Sequence, residues 1–240
     1  MAVSSPESAG ARRLCVAGLS APAEATGLRK TGRQSGLDFC VDRIYSLLMA
    51  RTKEFDPDKA LKTAVGVFWR LGYEHTSLDT LMREMGISKQ SLYDTFGDKR
   101  SLYFRAMTHY RDETNARLRE LFARQKSVKK GFAELLLGMS RESKADHERG
   151  CLLLNTNLSR PINDVQVAEF LRDNQRAVES IFTKALKDAK ARGEIGREQK
   201  PVALAKFFVA TIQGMRALGR LNHDRRELEH IAAVALTSLD

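Results

Sequence analysis

Gly86 divides two short runs whose apolar residues recur at helical spacing, and that division constrains the fold more than any other feature. Before it stand Leu78, Leu81, Met82 and Met85; after it, Leu92 and Phe96 lie four residues apart. Thr76 or Ser77 can cap the first run and Ser88 the second, since a short hydroxyl side chain accepts from the free N–H groups of a first turn. Glycine enters the left-handed conformation at no steric cost, so Gly86 ends the first helix. Two short helices across a tight glycine turn make a helix-turn-helix, whose second helix enters the DNA major groove. Leu92 and Phe96 point inward with Phe68 and Leu81, whereas Lys89, Gln90, Ser91 and Thr95 point outward.

Lys89 falls in the first turn of the second helix, and Lys99-Arg100 in the first turn of a third that Asp98 caps. A helix N-terminus is already partly positive, so cations there cost roughly a few tenths of a kcal/mol when nothing compensates. A docked phosphate compensates. Lysines simply projecting into water are the alternative, but two coincidences framing one helix-turn-helix favour the anion. Gln90 suits adenine, Lys89 guanine, and Ser91 is a further base-edge candidate. Tyr93 offers a ring to a thymine methyl and a hydroxyl to a phosphate, or else packs with a wet tip. Thr76 and Ser77 can donate to backbone phosphate, although capping alone also explains them. Ser88 and Thr95 complete the DNA-facing set.

The 240 residues carry a formal charge of +10, which suits an anionic partner. That charge does not locate the partner, because residues 49–110 hold ten Lys/Arg against eight Asp/Glu, and residues 111–240 hold 24 against 18. Cys15, Cys40 and Cys151 have no metal-ligand spacing, which suits a reducing compartment without a disulfide framework. No segment reads as apolar enough to span a bilayer; the nearest, Val202–Leu218, is interrupted by Lys206, Gln213 and Arg216.

Residues 1–48 are rich in Ala, Gly, Ser and Pro, with a possible short helix at 38–49. They read as a disordered arm, or as upstream codons included before a true start at Met49; a basic arm reaching a DNA groove is the third option. Asp56-Pro57 opens the folded part, an N-cap followed by proline at the first helical position. The spacing predicts helices at 57–71, over the two motif runs, at 99–124, 127–142, 150–158, 164–192, 201–220 and 224–239, the last opened by Asp224-x-x-Glu227 as a capping box. No run alternates with period two, so the fold is all-α.

Gly72-Tyr73-x-x-Thr76-Ser77, Leu81, Gly86-Ile87-Ser88, Leu92-Tyr93-x-x-Phe96 and Lys99-x-x-Leu102 resemble the N-terminal domain of the TetR/AcrR family of bacterial transcriptional regulators, without a gap over about residues 57–103. The resemblance implies an all-helical homodimer with three DNA-binding N-terminal helices and a larger helical domain that binds a small effector and dimerises. It assigns Lys89, Gln90, Ser91 and Tyr93 to the recognition helix and Lys99 to a phosphate anchor. Thr95 departs from the family, which often has His or Tyr there. Gly150-Cys151-Leu-Leu-Leu-Asn155 and Thr211-x-Gln213-Gly214-Met215 sit where an AcrR-like branch has similar stretches. The implied domains are 49–103 for DNA and 104–240 for effector and dimer.

In the C-terminal half, Ala203, Phe207, Ala210, Gly214, Ala217 and Leu221 form one apolar stripe, and Leu204, Phe208, Thr211, Met215 and Leu218 a second. A helix wet on one side needs only one. Either a dimer seam or burial within the monomer accounts for the other; with the resemblance, the seam is Ala210, Gly214, Ala217, Leu228, Ile231 and Ala235. An effector pocket is expected among Phe132, Leu136, Met139, Leu152, Leu154, Asn155, Phe170, Val178 and Phe182, although each apolar one is more readily explained as plain core, since pocket walls and core share composition. Asn155 and Asn157 can orient a ligand or cap a helix, and Cys151 can be a sensing thiol or a small buried apolar residue.

No His-Glu-x-x-His pair, nucleophile elbow, phosphate-binding glycine loop or dinucleotide fingerprint is present, so no enzyme, metal or cofactor is expected. The expectation is a cytoplasmic bacterial repressor: a homodimer on a near-palindromic double-stranded operator, released by an unidentified small-molecule effector, with no membrane partner. The rival is a helical ligand-binding or scaffold protein that keeps the helix-turn-helix shape without specific DNA binding.

Overall fold

The computed structural model describes residues 55–159 and 164–240. In chain order the helices are α1 (Pro57–Leu71), α2 (Leu78–Met85), α3 (Lys89–Phe96), α4 (Lys99–Arg124), α5 (Val128–Ser140), α6 (Lys144–Arg149), α7 (Leu152–Ser159), α8 (Val165–Ala191), α9 (Pro201–Asn222) and α10 (Arg225–Thr237). No strand occurs among the described residues. The leader and the short helix expected at 38–49 lie outside them.

Local chemistry sets most of these boundaries. The Asp56 carboxylate accepts from the N–H groups of Asp58 and Lys59 at 2.9 and 3.3 Å, ahead of Pro57. Gly86 takes φ 67°, ψ 34° at the end of α2, where a side chain would be strained. Asp224 caps α10 through the N–H groups of Arg226 and Glu227, but Glu227 does not close the capping box; its carboxylate accepts from Asn222 instead. Helix α6 was not expected. It is too short to show a period, and its signal is the Ser143-x-x-Asp146 pair, in which Ser143 Oγ accepts from the Asp146 N–H at 3.1 Å.

Two apolar cores lie along α4, whose 26 residues extend about 39 Å at 1.5 Å per residue. Its first half gives Leu102, Tyr103, Ala106 and Met107 to a core with Ala64, Phe68, Leu81, Leu92 and Phe96. Its second half lays Leu118 and Phe122 on a core centred on Phe132, Phe182, Leu186, Phe208 and Leu228. Phe132 stacks on Phe208 with ring centroids 3.8 Å apart. A Cβ on Gly131 would meet the Phe122 ring at 2.8 Å, so α4 and α5 approach at a place only glycine permits.

The boundary expected at 103/104 therefore falls inside a continuous helix. Leu152, Leu153 and Val167, from α7 and the start of α8, also belong to the first core, so chain beyond 104 is built into the helix-turn-helix body. Helix α9 is more apolar than its sequence reading allowed. By length and composition alone it can cross a bilayer, with a mean hydropathy of 1.2 over an 18-residue window, of which 33% is buried within the fold.

Candidate nucleic-acid interface and ligand cavity

The helix-turn-helix stands on buried Leu81, Met85, Leu92 and Phe96. The Arg70 guanidinium holds the Glu84 carboxylate at 2.7 and 2.9 Å, tying α1 to α2, and Arg105 donates to the Thr95 carbonyl at 3.0 Å, tying α3 to α4. Lys89 and Gln90 are exposed, and Tyr93 is 42% exposed, on the outer side of α3. The Gln90 amide donates to Asp94 one turn on, at 2.7 Å. Ser88 Oγ accepts from the Ser91 N–H at 3.1 Å and donates to Ser91 Oγ at 2.9 Å, so these two serines are spent largely on each other. The Lys99 ammonium lies 4.3 Å from the centroid of the Tyr73 ring, which braces it at the start of α4. Thr95 is half-buried.

Thr76 and Ser77, alternatives in the sequence, are separated by the fold. Ser77 caps α2, is exposed, and accepts from the Thr80 N–H at 3.0 Å. Thr76 is 1% exposed and its hydroxyl donates to the Gly72 carbonyl at 2.5 Å, which removes it from any DNA-facing set. Sequence reasoning overlooked Arg70, Arg105 and the bracing role of Tyr73, because each acts on a partner ten or more residues distant.

A cavity of about 260 Å³ lies among α4, α5, α7, α8 and α9. Leu118, Leu135, Met139, Val178, Phe182 and Ile212 belong to its apolar wall, and its polar groups include Tyr110, Asn115, Cys151, Asn157, Gln213 and two arginines, Arg172 and Arg216. Of the expected lining, Met139, Val178, Leu154 and Phe182 take part. Phe132 and Leu136 do not; at zero exposure they are core behind the wall. Leu152 and Phe170 face the helix-turn-helix core instead. Asn155 is also elsewhere, donating to the Arg149 carbonyl at 2.8 Å and accepting from Arg220 at 2.9 Å. Tyr110 and Asn115 were missed, though Asn115, Leu118 and Phe122 share one helical stripe on which the Asn stands out. Burial, with the neighbouring Cys151, pushes the Tyr110 phenol far above its ordinary range, so it remains a neutral donor to Cys151 Sγ at 3.6 Å.

Helix α7 is a wall shared by the two regions. Leu154 and Asn157 face the cavity, Leu152 faces the helix-turn-helix core, and Leu153 touches both. Four polar ties cross the same boundary. Tyr103 and Thr156 share a hydrogen bond of 2.6 Å, the Trp69 indole donates to the Gly150 carbonyl at 3.1 Å, Arg149 lies 4.2 Å over the Trp69 ring, and Arg100 holds Asp164 through contacts of 2.9 and 3.0 Å.

The two stripes of α9 part company in the fold. Leu204, Phe208 and Met215 are buried, whereas Ala203, Phe207, Ala210, Gly214, Ala217 and Leu221 are all exposed. Of the seam residues expected on α10, Leu228 and Ala235 are buried in the monomer core at 0% and 2% exposure, and Ile231 is half-buried. The exposed apolar residues of that helix are Ala233 and Val234.

Residues 60–106 match the family model of the TetR family of bacterial regulatory proteins, and residues 130–235 match that of a tetracyclin repressor-like C-terminal domain. The chain is 30% identical over 194 residues to YezE of Bacillus subtilis, described as an uncharacterised HTH-type transcriptional regulator, covering 80% of this chain and all of that one. It is 30% identical over 188 residues to the HTH-type transcriptional repressor ComR of Escherichia coli, covering 78% and 90% of the two chains. Its fold superposes with a TM-score of 0.71, at 28% identity, on a cysteine mutant of the TetR family regulator CifR solved with a 26-bp double-strand operator DNA, covering 79% and 100%. The chain belongs to the TetR family of bacterial transcriptional regulators.

Proposed function

We propose that this TetR-family regulator is a cytoplasmic homodimeric repressor that sets α3 of each protomer into successive major grooves of a near-palindromic operator. The observation that carries this is the exposed Lys89–Gln90 tip of α3, held on a rigid core by the Gly86 turn and the Arg70–Glu84 and Arg105–Thr95 ties. Lys89 and Gln90 read base edges, Gln90 exchanging its Asp94 bond for a base. Tyr93 reaches a thymine methyl or phosphate, while Ser77 and the Tyr73-braced Lys99 hold the sugar–phosphate backbone. Ser88, Ser91 and Thr95 supply secondary contacts.

The exposed stripe from Ala203 to Leu221 is the proposed dimer seam, with its small residues letting two helices approach closely. A small molecule in the 260 Å³ cavity is the proposed effector. It releases DNA by moving α7, since a ligand shifts an equilibrium only by its differential affinity for the two states. Selection of duplexes from a random pool by the full chain tests the function. A two-fold symmetric consensus with half-sites about one helical turn apart is expected; no enriched duplex at low salt defeats the reading.

A further inference from the structure

One polar group in the cavity wall does nothing for the folded chain. Asn115 sits midway along α4 at 4% exposure, on a stripe continued by Leu118 and Phe122. Its side chain makes no hydrogen bond among the described residues, and its enclosed Oδ1 has no partner. A buried carboxamide left unpaired carries its full desolvation cost, which a leucine at the same place would not. A half turn about its terminal torsion exchanges oxygen and nitrogen, so Asn115 can offer either an acceptor or a donor. Hydroxyl and amide groups answer both; an ether or ketone answers only one.

The rest of the wall selects on charge and size. No Asp, Glu, Lys or His lines the cavity. The Arg216 charge is met by Glu142, and Tyr110 is held neutral. A cation finds no counter-ion there, and an anion finds one arginine already paired and the other, Arg172, exposed to water. A dry apolar cavity of about 150 Å³ takes up benzene, so this larger one suits a body of on the order of ten heavy atoms.

We infer that the effector is a small uncharged molecule with an apolar, ring-sized body and one hydroxyl or amide group, and that Asn115 receives that group. This rests on reading the cavity as the effector site.

Calorimetry of the full chain without DNA, using 2-naphthol and naphthalene as probes, tests it. A purely apolar cavity binds naphthalene more tightly, because it is the more hydrophobic. Here 2-naphthol is expected to bind at least tenfold more tightly. Asn115→Leu reverses that order, and the ligand-free variant melts no lower than wild type; Asn115→Ala gives the same reversal should the leucine variant not fold. Leu135→Trp, which fills the cavity, abolishes binding of both. Equal or weaker binding of 2-naphthol to wild type, binding of neither probe, or an unchanged order in both Asn115 variants overturns the inference. Duplex titration without ligand reports separately on DNA binding.

Discussion

The hydroxyls of Tyr103 and Thr156 share a buried hydrogen bond of 2.6 Å, joining the helix common to both cores to the helix that walls the cavity. Thr156 also donates to the Leu152 carbonyl at 2.8 Å, so Tyr103 supplies the donor in this pair. A deformation of α7 thus reaches α4 one turn from its Lys99 end, through a bond that burial strengthens. Tyr103→Phe is expected to lower unfolding stability by about 1 kcal/mol in urea titration. It should also shrink the loss of operator affinity caused by effector. An unchanged effector response would locate the coupling elsewhere, with the Trp69–Gly150 and Arg100–Asp164 ties the next to remove.

Lys89, Lys99 and Thr76 should separate cleanly. Lys89→Ala and Lys99→Ala each lower the slope of log affinity against log salt by about one unit, read by fluorescence anisotropy on an operator duplex. Thr76→Val leaves that slope unchanged and lowers stability by about 1 kcal/mol, since it loses only an internal hydrogen bond. A slope change for Thr76→Val would contradict its buried placement.

The exposed and buried apolar residues of α9 and α10 predict opposite failures. Ala217→Glu places a charge on the exposed stripe and is expected to weaken the dimer at least tenfold in sedimentation, while monomer stability stays within about 0.5 kcal/mol of wild type. Leu228→Ala opens a void in the core, costing about 2–5 kcal/mol. A dimer unaffected by Ala217→Glu would move the seam off this stripe.

Asp98 caps α4 by accepting from the Ser101 N–H at 2.7 Å, and that hydrogen bond holds its carboxyl below the ordinary range. A depressed native pKa contributes stability above the unfolded value, about pH 4, and loses it as pH falls through the native value. The melting temperatures of wild type and Asp98→Ala should differ fully near neutrality and converge in acid. A difference independent of pH would mean that the carboxylate charge is irrelevant to the cap.

What the amino-acid order determined by itself is local. Asp56, Ser88, Asp98 and Asp224 announce their helices, and Gly86 its turn, because a cap or a turn is settled by groups within about three residues of one another. Leu92 and Phe96 likewise declare an inward face by their spacing. Periodicity identifies an apolar face but not what that face meets. Only tertiary structure decided that one stripe of α9 is core and the other open, that Leu228 belongs to the monomer, and that Thr76 is sealed while Ser77 is not. It also decided which side chains meet across the chain: Trp69 finds Gly150 and Arg100 finds Asp164, 81 and 64 residues away. Such pairs depend on the angles at which whole helices cross, set by the sum of many weak contacts rather than by any short stretch of chain.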